Sequence, residues 1–91
     1  MKIYVVEGQT GEYSDHRDWP VRAFLSEKKA QKLVLDAQAR ANEIYVNNSN
    51  SSPSWNDLEK PENKNQYDPD MDMDYVGTHY LYYPIELDTE E

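Results

Sequence analysis

Cysteine is absent from this chain, which excludes a disulfide framework, a thiolate metal site and a thiol nucleophile. Glycine is scarce, 3 residues in 91, and forms no phosphate-cradling loop; HExxH and other nucleotide or metal motifs are also missing. No apolar run approaches the length of a membrane span. The opening Met1-Lys2-Ile3-Tyr4-Val5-Val6-Glu7-Gly8 is too short an apolar stretch for a signal peptide and reads as a strand. The expectation is therefore a soluble, cytoplasmic protein, without membrane contact. Basic residues are missing from one region in particular. Between Gln66 and Glu91 there is no Lys or Arg, while Asp68, Asp70, Asp72, Asp74, Glu86, Asp88, Glu90 and Glu91 all fall there.

That asymmetry organises the chain. Residues 1–60 hold nine acids against eight bases, so nearly all of the net charge of −9 belongs to the last third. Such a field repels nucleic acid and anionic membranes and attracts basic surfaces. Ninety-one residues make one domain (1–91) with a modest core. The apolar fraction of 37% is low, and much of it is aromatic, with 8 Tyr, 2 Trp and 1 Phe. Tyr and Trp suit surfaces that are half buried and half wet, such as a thin sheet or a binding patch.

Ile3 to Val6 is β-branched and aromatic and predicts a first strand ending at Glu7-Gly8, with Gly8 and Gly11 serving a turn. Trp19 to Phe24 predicts a second strand, at an edge or beginning at Pro20. Ser26 is a good N-cap, Leu25 is placed to staple onto Ala30, and Ala30, Leu33, Val34, Ala37, Ala41 and Ile44 form a stripe of period 3.6. A helix over about 27–44 follows. The polar stretch 47–74 predicts a long loop, with Trp55 and Leu58 pinning its middle. Tyr75 to Leu87 returns to strand, apolar on both faces and so predicted to lie inside the sheet, and 88–91 predicts a frayed acidic tail. The fold class is α+β: a small antiparallel sheet of three or four strands, in ββαβ order, with one helix packed on one face.

The sharpest local feature is the ladder Asp68-Pro69-Asp70-Met71-Asp72-Met73-Asp74. Calcium is one reading, since Asp68, Asp70 and Asp72 match an EF-hand opening. The match then fails, because Met73 and His79 occupy the Gly and Glu positions. Mimicry of phosphates is another. In extended chain, carboxylates at i and i+2 lie about 6.7 Å apart, close to two phosphate steps of a DNA strand. Adjacent charges at that spacing repel by only about 0.6 kcal/mol in water, so a loop tolerates the ladder and a basic partner relieves it. A solvated acidic loop that keeps the protein soluble is the plain alternative.

Tyr75, Tyr80, Tyr82 and Tyr83 crowd beside these acids. Packing across strands is their ordinary use, but so many in a thin domain leave one or two at a surface. Tyr beside carboxylates suits an Arg, through cation–π contact and paired hydrogen bonds. In Tyr13-Ser14-Asp15-His16, Asp15 and His16 are neighbours that point apart in extended chain. A catalytic site built on Tyr13, Asp15, His16 and His79 has no spacing that demands it, and turn chemistry explains the segment. The helix bases Lys28, Lys29, Lys32 and Arg40 form a solvated face, or receive the acidic loop of the same or a second copy, which leaves room for a homodimer.

The strings Tyr4-Val5-Val6-Glu7-Gly8, Gly11-Glu12-Tyr13-Ser14-Asp15, Val21-Arg22-Ala23-Phe24 and Asp74-Tyr75-Val76-Gly77-Thr78-His79-Tyr80 resemble those of a group of small phage and prophage accessory proteins with a G-x-YSD turn. The resemblance covers about 2–45 and 68–87 and implies no assigned activity. Small acidic phage proteins include inhibitors of host defence, such as anti-CRISPR proteins and DNA mimics; the near-neutral N-terminal half favours one localised acidic face over mimicry by the whole surface.

Together these observations predict a non-enzymatic interaction protein without a cofactor. It would occlude the basic groove of a nucleic-acid-handling host protein and bind no nucleic acid itself. Asp68, Asp70, Asp72 and Asp74 would steer the partner, Tyr75, Tyr80 and Tyr82 would touch it, and Glu86 and Asp88 would extend the field. The alternative is a Ca²⁺-binding or small regulatory module on the Asp68–Asp74 ladder.

Overall fold

A computed structural model describes residues 1–12, 14, 16–49, 63–73 and 76–88, with backbone alone at 48–49. Strand β1 (Lys2–Thr10) is followed by β2 (Arg17–Phe24), helix α1 (Glu27–Ser49) and β3 (Thr78–Glu86). The fold is α+β, a three-stranded antiparallel sheet in the order β2-β1-β3 with the helix packed against it. The expected ends of the first hairpin were too short. Gly8 lies inside β1 opposite Trp19 and not in a turn, and an added Cβ would sit 2.7 Å from the indole ring. A glycine there lets the ring lie flat on the central strand. The turn falls to Gly11, at φ 89°.

The last strand is not interior. β1 takes the centre, pairing from Lys2↔Glu86 to Thr10↔Thr78 on one side and with β2 on the other, and β3 is an edge. In β2 the register shifts between Val6 and Glu7, which face Arg22 and Pro20 and leave Val21 as an extra residue. This bulge resets the alternation. Trp19 and Val21 both pack on the core, and Phe24 reaches the helix beside Leu33.

Ser26 Oγ accepts the Lys29 N–H at 3.4 Å, which caps α1 as its sequence predicts. The staple does not form, since Leu25 is exposed. The helical stripe holds: Ala30, Ala37, Ala41 and Ile44 are buried. Ala37, Ala41 and Ile44 cluster with Tyr80 of the sheet and with Met71 and Met73, which come from the segment expected to be loop; Val6 is buried too. The helix runs past Ile44 to Ser49. Trp55 and Leu58 lie outside the described residues, as do Tyr13, Asp15, Asp74, Tyr75 and the tail 89–91. No described helix is long and apolar enough to cross a membrane.

Candidate functional site

The segment 63–73 is laid over one end of the sheet by its own turns. Asn65 Oδ1 accepts the Tyr67 N–H at 3.0 Å, the Asp68 N–H reaches the Asn65 carbonyl at 3.1 Å, and the Met71 N–H reaches the Asp68 carbonyl at 3.0 Å. The first is the short-range turn chemistry of an Asx residue. From Asp70 onward the chain alternates. Met71 and Met73 enter the core, while Asp70 is exposed and Asp72 half-buried. The ladder is thus the wet side of a strip whose other side is methionine.

Asp68 is the exception, and it corrects the reading of the ladder as a docking strip. It is 2% exposed. Its Oδ2 accepts the Trp19 indole N–H at 2.9 Å and the Tyr80 hydroxyl at 2.7 Å. Asn65 joins them, donating to the Ala37 carbonyl at 3.1 Å, and to Met71 Sδ and Tyr80 Oη at 3.5 Å each. A carboxylate leaves water without a cation only when strong donors replace its hydration, and Trp19 and Tyr80 supply them. Burial first, then the hydrogen bond to Asp68 and its negative charge, push the Tyr80 hydroxyl far above the usual tyrosine range, while Asn65 acts in the opposite sense. Tyr80, expected to touch a partner, is therefore an internal donor. The space beside this cluster is a cleft of about 30 Å³ bounded by Asn63, Lys64, Asn65, Pro69 and Met71, room for little more than a water.

The other acids separate. Asp72 Oδ2 meets Arg17 Nε at 2.6 Å, and its Oδ1 accepts the Met73 N–H at 2.9 Å. Glu86 Oε1 lies 2.8 Å from the N-terminal ammonium but stays largely exposed. Asp70 and Asp88 are exposed. Among the described residues no three His, Asp or Glu converge as metal ligands; Asp68 and Asp72, two of the three ladder positions considered for calcium, are bonded to Trp19, Tyr80 and Arg17 instead. Of the helix bases, Arg40 does reach the loop, through the Lys64 carbonyl at 2.9 Å, and Lys32 pairs with Asp36 on its own helix.

Tyr82 sits at the opposite end of the helix–sheet seam. Its hydroxyl accepts from Gln31 Nε2 at 2.9 Å and donates to Glu27 Oε2 at 3.3 Å, and its ring meets Tyr4 edge-on at 6.4 Å. It borders an open groove of about 290 Å³ with Gln31, Val34 and Leu35. Gln31, Leu35 and Gln38 do not belong to the apolar stripe; the sequence signal is a Leu standing beside it, which periodicity alone does not flag. Compared with known protein families, curated proteins and solved structures, the chain gives no match.

Proposed function

We propose that this protein is a non-enzymatic interaction protein that binds a basic, nucleic-acid-handling protein and occludes the surface on which nucleic acid would lie. The observation that carries this reading is the charge. The chain has a net charge of −9, and no Lys or Arg lies between Gln66 and Glu91. Asp70, Glu86 and Asp88 keep exposed carboxylates there. Long-range attraction needs only that net field and does not need the carboxylates aligned in a ladder. Asp68 turned inward and Asp72 paired with Arg17 reduce the resemblance to a phosphate strip, so steering, more than shape mimicry, is the mechanism. The non-enzymatic reading is supported by the Trp19–Asp68–Tyr80–Asn65 cluster, whose polar groups satisfy one another beside a cleft too small for a substrate. The resemblance to phage accessory proteins puts a host defence protein first among partner candidates.

The test is capture from a bacterial lysate at low and at high salt, followed by a chase with nucleic acid. The expected catch is rich in nucleic-acid-binding proteins, falls steeply with salt, and is released by added DNA or RNA. Capture that ignores both salt and nucleic acid overturns the reading.

A further inference from the structure

The two edges of the sheet are treated differently. The β2 edge carries the bulge and the charged Arg17, Asp18 and Arg22, devices that discourage another strand from pairing. Among the described residues the β3 edge is closed at one point, by Gln38. There the Tyr80 N–H donates to Gln38 Oε1 and Gln38 Nε2 donates to the Thr78 carbonyl, both at 2.8 Å. These backbone groups point away from β1. By the alternation of an antiparallel ladder, so do those of Tyr82, Pro84 and Glu86. Pro84, like Pro20 on the other edge, turns its missing N–H outward, so at that position an added strand finds only the carbonyl. Past Gln38, therefore, the Tyr82 N–H and the carbonyls of Tyr82 and Pro84 form an open rim. Beside that rim runs the groove of about 290 Å³ between Gln31, Val34, Leu35 and Tyr82, with Leu35 69% exposed. The Glu27 carboxylate stands at its end, on the Tyr82 hydroxyl.

We propose that this α1–β3 groove accepts one extended, basic segment of a partner protein, which adds as a fourth strand along Tyr82–Glu86 and lays an Arg or Lys stem over Leu35 with its head toward Glu27. It rests on the reading of a basic partner above. The open rim calls for an extended chain, because a strand is what matches unpaired N–H and C=O groups at this spacing. The trough takes the aliphatic part of a long cationic side chain, and the Glu27 carboxylate, which meets the Tyr82 hydroxyl at 3.3 Å, stands at its end; Glu86, at the far end of the rim, is largely exposed but already meets the N-terminal ammonium at 2.8 Å. A second copy fits worse. Antiparallel self-pairing centred on Tyr82 would set Pro84 and Glu86 against the other copy's Tyr80 and Thr78, which Gln38 already occupies, and it would bring together two chains of −9.

The experiment follows backbone and side-chain amide signals of the full chain during titration with a short peptide of alternating Arg and Val, and with a control of alternating Glu and Val. The expected result is binding of the Arg peptide alone, with shifts at Tyr82, Glu86, the Gln31 amide and Leu35, and roughly tenfold weaker binding to Leu35→Lys. Leu35 is exposed, so that variant keeps the core. Binding that shifts only Asp70 and its neighbours, or is indifferent to Leu35→Lys, overturns the groove while the basic-partner reading stands. Equal binding of the Glu peptide at β3 overturns the basic occupant, and with it that reading. A dimer that Leu35→Lys dissolves assigns the rim to a second copy, and no binding by either peptide overturns the site.

Discussion

Tyr80 and Tyr82 stand two residues apart on the same strand and the same side of the sheet, yet one is sealed and the other is open. Over Tyr80 lies the 63–73 segment, with Asp68 and Asn65 on its hydroxyl and Met71 in the same core cluster. Over Tyr82, among the described residues, lies the helix, whose Gln31 and Glu27 touch the hydroxyl while the ring borders the open groove. The residue type did not decide the outcome. What decided it was whether a second layer covered the position. A phenol that loses water must find partners. One that keeps water is available to a visitor.

The widest test of that contrast removes the acceptor at the sealed end. Asp68→Ala leaves the part-buried Trp19 N–H and the buried Tyr80 O–H without the acceptor they share and should cost about 2–4 kcal/mol, read from urea unfolding. Asp68→Asn keeps one carbonyl acceptor and should cost less. The two differ from the charge-neutralising pair expected of an exposed acid: Asp70→Asn should leave the urea midpoint within about 0.5 kcal/mol and act on association rate with the partner.

Next in size is Gly8→Ala. Its methyl would meet the Trp19 ring at 2.7 Å, and the crowding should cost about 1–3 kcal/mol. Tyr80→Phe should follow at about 1–2 kcal/mol, by removing one donor from a buried carboxylate. It also carries a pH signature. The folded protein holds the Tyr80 proton far more tightly than the unfolded chain, whose tyrosine titrates near 10. The stabilisation is therefore complete below about pH 10 and is lost as pH rises above it. Wild type should lose stability along that alkaline limb more steeply than Tyr80→Phe, with both followed by urea midpoints against pH.

The smallest expected effect is Tyr82→Phe, within about 0.5 kcal/mol, because its hydroxyl partners are exposed side chains. A cost equal to that of Tyr80→Phe would erase the distinction between the two ends of the seam.

Periodicity made most of the fold legible. The Ala-rich stripe predicted α1 and its buried positions, and β-branched and aromatic runs predicted three strands in the right order. The misplacements have local causes. The end of β1 was put at Gly8 because glycine signals a turn, whereas here it makes room for an indole from the neighbouring strand. β3 was put inside the sheet because both its faces are partly apolar; its burial comes from α1 and from 63–73, and Ile85 and Tyr83 remain exposed at the edge. The site was less legible. In the alternation of aspartate and methionine from Asp70 to Asp74 the charge is the obvious feature, but the methionines are the signal of an apolar underside. Asp68 looked like its fellows, and nothing local distinguishes a carboxylate that will meet Trp19 and Tyr80 from one that will meet water. That difference is made by contacts 49 and 12 residues away.

Those long separations also set an order of assembly. The donors that receive Asp68 come one from β2 and one from β3, so the pocket for its carboxylate does not exist until both outer strands have zipped onto the central one. Tucking the side chain in earlier would strand an anion in an apolar layer with nothing to hold it. Closure of 63–73 is then a late event in refolding, and the indole of Trp19 is placed to report the moment it happens.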